Sequence, residues 1–265
     1  MSKIEFEPTN NQVGCFIYTD LQKVKKNQIV EIKKLLEKYG VLFFKNQGLS
    51  PEQYINFSTN FGVPAKYPML KPHKNFKDIY VIERKKTDTG KSFGEGPHTD
   101  SSYLESPPRF TFLQAVEVPE EGKGNTLFYN QFLAYEALPE EIKQKIENLK
   151  GIFSSQGKIA QTRKLRMADH GTSETKEIKS EHKLVQSING RKTIYCSPGH
   201  VVGIVNSSSE QEELISFLSS HQINKNFSYS FGWKKGDIAL WSNRSMLHAA
   251  TAFSGDRKMF RITIQ

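Results

Sequence analysis

His98 and Asp100, in the run Gly96-Pro97-His98-Thr99-Asp100-Ser101-Ser102-Tyr103, stand two positions apart. On an extended strand both side chains therefore leave the same face. An imidazole nitrogen and a carboxylate oxygen so placed can close on one metal ion. Two ligands make a weak site, and the third candidate, His248, lies far downstream, just after a short apolar strand. A site built from these three requires distant parts of the chain to meet. Two histidines and one carboxylate on one side of a metal form the facial triad of non-haem Fe(II) oxygenases, with the opposite positions open. A lone His-x-Asp is common by chance. The distant histidine and the arginines after it change the odds.

At 265 residues the chain can bury a substantial core. Its aromatic content of 11%, rich in Phe and Tyr, suits a β-rich globular protein rather than a disordered one. No apolar run approaches the roughly 18 residues of a membrane helix, and Met1-Ser2-Lys3-Ile4-Glu5 is no signal peptide. No membrane association is expected. Cys15 and Cys196 are far apart and belong to no Cys-x-x-Cys pair, which implies neither a disulfide framework nor a zinc site. A cytoplasmic location follows as the expectation. The net charge of +9 raises the question of nucleic acid. The lysines are scattered, however, and no stripe of Arg and aromatics offers a base-stacking platform. Solvated lysine faces are expected, with attraction of an anionic small substrate as a lesser consequence. Self-association into a homo-oligomer stays open.

Along the chain, Asp20 can cap a helix reaching about Tyr39, with Ile29, Ile32, Leu35 and Leu36 on one face and Gly40 at its end. Val41-Leu42-Phe43-Phe44 reads as a buried strand. Ser50-Pro51-Glu52-Gln53 carries a capping Ser, Pro at the first helical position and a capping-box Gln, opening a helix to about Phe61. Strands are expected at Ile79–Glu83, Phe110–Val118, Thr126–Tyr129, Phe227–Trp233, Ile238–Trp241 and Met259–Ile264, with a helix over Pro139–Leu149. Leu184–Ser187 and Lys192–Cys196 flank an Asn189-Gly190 hairpin turn. Ser209-x-x-Glu212 opens another helix, to about His221. The polar, basic stretch 154–180 suits either a mobile lid over a site or a plain surface insertion. Helices first and then many short strands imply a mainly β, jelly-roll-like double sheet with flanking helices. With no internal repeat and no linker, one domain over 1–265 is expected.

Arg257 and Arg261 follow His248. If Lys258–Ile264 is a strand, positions 257, 259 and 261 share a face, while Phe260, Ile262 and Ile264 point to the other. Arginine grips a carboxylate or sulfonate through paired hydrogen bonds. A surface pair on an outer strand would look the same in isolation. Beside a candidate Fe(II) site, the pair favours an anionic cosubstrate.

These residues resemble a known family. His98-Thr99-Asp100, Tyr103-x-Glu105-x-Pro107-Pro108, Gly124-Asn125-Thr126-Leu127-Phe128 and Ala134-Tyr135-Glu136-Ala137-Leu138 are similar to the taurine dioxygenase (TauD/TfdA) family of Fe(II)- and 2-oxoglutarate-dependent oxygenases. So are Gly236-Asp237-Ile238-Ala239-Leu240-Trp241-x-Asn243-Arg244-x-x-x-His248 and Arg257-x-x-x-Arg261. The resemblance runs from about Val41 to the C-terminus in the family's order. It implies a double-stranded β-helix, with His98, Asp100 and His248 as iron ligands. It also implies Thr126 and Arg257 as holders of the 2-oxoglutarate carboxylate, and Arg261 as partner of an acidic substrate group. Tyr67 and Leu70 stand where taurine dioxygenase places a sulfonate-contacting His and a Tyr, and Pro97 replaces the usual Trp-like residue. The departure at Tyr67 and Leu70 points away from taurine.

The reaction so implied consumes O2 and 2-oxoglutarate, releases succinate and carbon dioxide, and hydroxylates a small, anionic metabolite. Desaturation or oxidative rearrangement of a carboxylated metabolite would use the same residues, and a catalytically silent metal-binding β-sandwich is the reading from another class. Asp100 argues against a halogenase, which vacates the carboxylate's position. Among the remaining histidines, His73, His170, His182 and His221 suit surface or structural roles, whereas His200 could border the pocket. Trp241 and Phe112 read as core residues.

Overall fold

The computed structural model describes residues 4–67, 70, 72–120, 122–160, 162, 176–206 and 210–265. Helix α1 (Lys26–Tyr39) begins later than Asp20 suggests. The Asp20 carboxylate instead accepts from the Gln22 N–H at 2.9 Å and closes a turn, while Gln28 accepts from the N–H of Lys25 at 3.0 Å and starts the helix. The short polar side chain is satisfied locally, which leaves the helix start to Gln28. Gly40, at φ +77°, ends α1 where a Cβ would lie 2.6 Å from Met246 Sδ. Helix α2 (Pro51–Ser58) has the expected capping box: Ser50 Oγ accepts from Gln53 N and Gln53 Oε1 accepts from Ser50 N.

Seven strands form the larger sheet, which runs from β1 (Glu5–Pro8) through β2 (Cys15–Tyr18), β3 (Val41–Phe44), β13 (Ile238–Ser242), β5 (Phe110–Glu117) and β15 (Arg257–Ile264) to β4 (Tyr80–Arg84). Neighbours pair antiparallel except β2 and β3, which are parallel. Facing it is a three-stranded sheet of β12 (Ser228–Phe231), β6 (Thr126–Asn130) and β14 (Met246–Ala250). Two smaller sheets comprise β11 (Val201–Ile204), β7 (Lys150–Ser154) and β8 (Lys179–Lys183), and the hairpin of β9 (Val185–Ile188) and β10 (Arg191–Ile194). Asn189 and Gly190 turn that hairpin with φ +49° and +81°, the type I′ conformation that Asn-Gly favours. Further helices among the described residues are α3 (Gln131–Glu136), α4 (Glu140–Ile146) and α5 (Glu210–His221). The architecture is the jelly roll with flanking helices that the strand pattern implies.

The expected strands at Phe110–Val118 and Thr126–Tyr129 are both present, but they lie in different sheets, so the turn between them crosses the sandwich. The stretch 154–180 begins at the end of β7 and finishes in β8; positions 161 and 163–175, and with them most of the lid expectation and His170, lie outside the described residues, as does Ser209.

Strand β3 explains why an unbroken apolar run suits this sandwich. Leu42 and Phe44 face outward into a core shared with Ile32, Leu36, Tyr54 and Phe57 of α1 and α2. Val41 and Phe43 face inward, where the Phe43 ring stacks on Phe231 at 4.3 Å. Phe112, fully buried, meets Phe57 and Phe61 edge-on at 5.8 and 5.2 Å and anchors α2 on the sheet. Cys15 and Cys196 are both buried and free. Among the described residues no helix is long and apolar enough to cross a membrane.

Candidate active site

His98 and Asp100 do not lie on a regular strand. His98 forms a one-residue bridge with His248, exchanging N–H to O bonds of 3.0 and 2.8 Å, and Asp100 sits in a turn ahead of Ser101 at φ +51°. The backbone is extended only at the point that aims the two side chains inward. Thr99 points the other way and pins the segment: its N–H donates to Ser197 Oγ at 3.1 Å and its hydroxyl to the Asn243 carbonyl at 2.6 Å. His248 is carried by a strand of its own, β14, which pairs with β6.

The three side chains converge. Asp100 Oδ1 is 3.8 Å from His98 Nε2 and 3.6 Å from His248 Nε2, and all three are buried. Metal–ligand bonds of about 2.0–2.2 Å can span these separations from one centre. His98 Nδ1 lies 2.9 Å from the Gly96 carbonyl, so it carries the proton and leaves the Nε2 lone pair facing inward. Burial, with His98 alongside, pushes His248 down to about 3 against the pull of Asp100, and the ring is neutral, as a ligand must be. Burial pushes the Asp100 carboxyl up, but Arg261, the two imidazoles and the Thr111 hydroxyl outweigh it and hold it below the usual carboxylate range. The donor set therefore fits a divalent metal of the facial-triad kind.

Behind Asp100 runs a chain of buried hydrogen bonds that sequence reasoning missed. Thr111 donates to Asp100 Oδ2 at 2.6 Å, Asn243 Nδ2 donates to Thr111 at 2.9 Å, and Trp241 Nε1 donates to Asn243 Oδ1 at 3.1 Å. Asn243 belongs to the motif leading to His248, which was the one available signal; nothing local singles out Thr111.

Beyond the triad is a cavity whose wall includes Ile82, Phe93, Leu113, Trp241 and Met259. Thr126, Arg257 and Arg261 line it as well. The expected alternation on β15 is present: Arg257, Met259 and Arg261 face the cavity, while Ile262 and Ile264 face the helices. Trp233 Nε1 donates to Thr126 Oγ1 at 3.0 Å, which leaves the Thr126 hydroxyl proton free to donate elsewhere. Arg261 Nη2 lies 3.0 Å from Asp100 Oδ1, so the carboxylate facing this arginine is Asp100. Burial works against the charge of Arg261 and Asp100 works for it; the balance raises its pKa.

Tyr67 and Leu70 stand behind this wall rather than in it. The Tyr67 ring lies 4.3 Å from the Arg261 guanidinium carbon, and Leu70 packs on the cluster that contains Tyr67 and Tyr80. His200 is buried with Nδ1 2.9 Å from Ser102 Oγ, its ring edge-on to His98 at 6.1 Å. Trp241 fills the core and also lines the cavity, packing against the His248 ring at 4.7 Å, whereas Phe112 is core alone. His182 and His221 bond to the carbonyls of Leu104 and Ala134, and His73 accepts from the Asn75 N–H at 3.2 Å, all three local structural contacts.

A buried facial triad lining a cavity of a jelly roll defines a class, the mononuclear non-haem metal oxygenases. Residues 6–263 match the model of the "Taurine catabolism dioxygenase TauD, TfdA family", and the chain belongs to that family. It is 28% identical over 260 residues to the α-ketoglutarate-dependent 2,4-dichlorophenoxyacetate dioxygenase of Cupriavidus pinatubonensis, covering 89% of this chain and 88% of that protein. It is 24% identical over 229 residues to an α-ketoglutarate-dependent sulfate ester dioxygenase of Pseudomonas putida, covering 83% and 74%. A solved taurine dioxygenase from Burkholderia xenovorans superposes with a TM-score of 0.82 at 26% identity, covering 99% of this chain and 91% of its own. The structure of AAD-2 with Mn(II) and N-oxalylglycine gives 0.80 at 25%, covering 99% and 97%. The protein is an oxidoreductase of the 2-oxoglutarate-dependent dioxygenase class.

Proposed function

We propose that the protein is an Fe(II)- and 2-oxoglutarate-dependent dioxygenase that hydroxylates a small metabolite bearing a carboxylate, sulfonate or sulfate. The observation that carries this is the convergence of His98, Asp100 and His248 at one end of a cavity into which Thr126, Arg257 and Arg261 also face. The Mn(II) held by AAD-2 supports a divalent metal in this fold. The substrates named for the relatives, 2,4-dichlorophenoxyacetate and sulfate esters, support an anionic one.

His98, Asp100 and His248 hold the iron; Thr111 and Asn243 fix the carboxylate that binds it. Bound Fe(II) and 2-oxoglutarate supply the activation of O2, with succinate and carbon dioxide as coproducts. Arg257 grips the distal carboxylate of 2-oxoglutarate through its guanidinium fork, and Thr126 donates its free hydroxyl proton to the same group. Arg261 takes the substrate's anion, sharing its charge between that group and Asp100, and so holds the reacting carbon near the metal end. Ile82, Leu113, Trp241 and Met259 keep water out and present an apolar wall to the substrate body. Tyr67 braces Arg261 from behind, and Leu70 makes that brace less polar than a taurine site would have.

Anaerobic addition of Fe(II) and 2-oxoglutarate should produce a weak visible charge-transfer band, absent in His98→Ala, Asp100→Ala and His248→Ala. A wild-type protein without the band loses the iron and cosubstrate assignment. Succinate release is then followed over matched acids, esters and amides. Acids should turn over best, and Arg261→Ala should lose that preference; equal turnover of acid and ester by wild type removes the substrate role of Arg261.

A further inference from the structure

Strands β4 and β15 form a ladder along one side of the cavity: Tyr80 opposite Arg261, Ile82 opposite Met259, and Arg84 opposite Arg257. Ile82, Met259, Arg257 and Arg261 line the cavity. Alternate positions share a face, so Arg84 is the next rung on the same side, at the Arg257 end. Both guanidiniums are buried, with 9% of Arg84 and 6% of Arg257 exposed. The same Phe253 ring lies 5.6 Å from one guanidinium carbon and 5.5 Å from the other.

Like charges directly opposite on an antiparallel pair repel, and low local polarity strengthens the repulsion. Among the described residues no carboxylate is ion-paired with Arg84. Its Nη2 donates to the carbonyls of Asp88 and Gly90 at 3.2 and 3.1 Å, and its buried Nε has no hydrogen-bond partner. A second buried cation beside Arg257 is costly in the empty protein and favourable once an anion arrives there. The two carbonyl bonds fix where that charge stands, because Asp88 and Gly90 belong to the loop that leads into Phe93 and Gly94 of the cavity wall.

We infer that Arg84 is a positioning residue for the cosubstrate. It is a second fixed cation that, with Phe253 shared between the two guanidiniums, attracts the distal carboxylate and orients Arg257 toward it. This rests on the reading of Arg257 as the carboxylate holder. Arg84 does not touch the reacting atoms; its effect falls on cosubstrate affinity.

The test uses the full chain loaded with Mn(II), with binding read from tryptophan fluorescence, since Trp241 lines the cavity and Trp233 bonds to Thr126. Two probes are titrated: 2-oxoglutarate, and 2-oxobutyrate, which shares the 2-oxoacid head and lacks the distal carboxylate. Arg84→Met should raise the Kd for 2-oxoglutarate roughly three- to tenfold and flatten its salt dependence, with 2-oxobutyrate unchanged. Arg84→Lys, which keeps the charge, should recover most of the loss. Unchanged 2-oxoglutarate affinity in Arg84→Met, an equal loss for both probes, or no recovery in Arg84→Lys overturns the inference. Arg257→Met separates it from the reading beneath: wild-type affinity there sinks the cosubstrate assignment itself, whereas a loss there alone sinks only the role of Arg84.

Discussion

Asp100 has each carboxylate oxygen committed to a different task. Oδ2 is fixed by the Thr111 hydroxyl, and Oδ1 faces both histidine nitrogens and the Arg261 guanidinium. The three candidate ligands are therefore unequal in what their loss does to the fold. Removing any one should abolish iron binding and succinate release, because the site needs three ligands to hold its geometry. Asp100→Ala should also destabilise the apoprotein by about 3–5 kcal/mol, since it strands Arg261, 3% exposed, without its counter-charge. His98→Ala should lower the melting temperature far less, and Asp100→Ala with Arg261→Met should regain part of the loss. Thermal unfolding of the metal-free variants checks this; equal melting temperatures for Asp100→Ala and wild type would mean that the pair contributes nothing. Arg257→Ala should weaken 2-oxoglutarate binding by roughly 2–5 kcal/mol. If affinity survives that change and collapses in Arg261→Ala, the two arginines have exchanged roles.

Among the elements, α2 and the β9–β10 hairpin show two ways in which local sequence becomes structure. Helix α2 is announced by its own cap, yet it stays docked through Phe112, a residue on a central strand. Phe112→Ala should cost about 3–5 kcal/mol, because the cavity it leaves lies between rigid strands and cannot collapse. Denaturant unfolding would show it as a fall in midpoint with an unchanged slope. The hairpin is decided by two residues. Gly190 holds φ +81° with nothing within 4 Å of where a Cβ would stand. Gly190→Ala therefore meets no clash and should cost only the left-handed strain of about 1–2 kcal/mol. A larger loss in the melting temperature would mean that the turn also sets the pairing of β9 with β10. Both elements were legible in advance, because capping and turn chemistry act over a few residues. Strand β14 was not: its short run takes its strand character from pairing with β6.

For the molecule as a whole, metal and cosubstrate should act as stabilising ligands. Mn(II) at about one hundred times its Kd should add roughly 2.7 kcal/mol, and 2-oxoglutarate at a like excess about as much again, with a chelator reversing the gain and 2-oxoglutarate alone giving far less. A melting temperature indifferent to both would count against a preformed site. What the sequence determined by itself is what short-range chemistry can encode: the capped helices, the Asn-Gly hairpin, the alternation on β15, and the residue types of a metal triad in a recognisable order. Tertiary structure alone decided the rest. It set Asp100 in a turn rather than on a strand, placed Thr111 and Asn243 behind it, put Tyr67 behind Arg261, and lined up Arg84 with Arg257. Each of those depends on which distant strands lie side by side and on where burial removes water, and no local pattern carries that information.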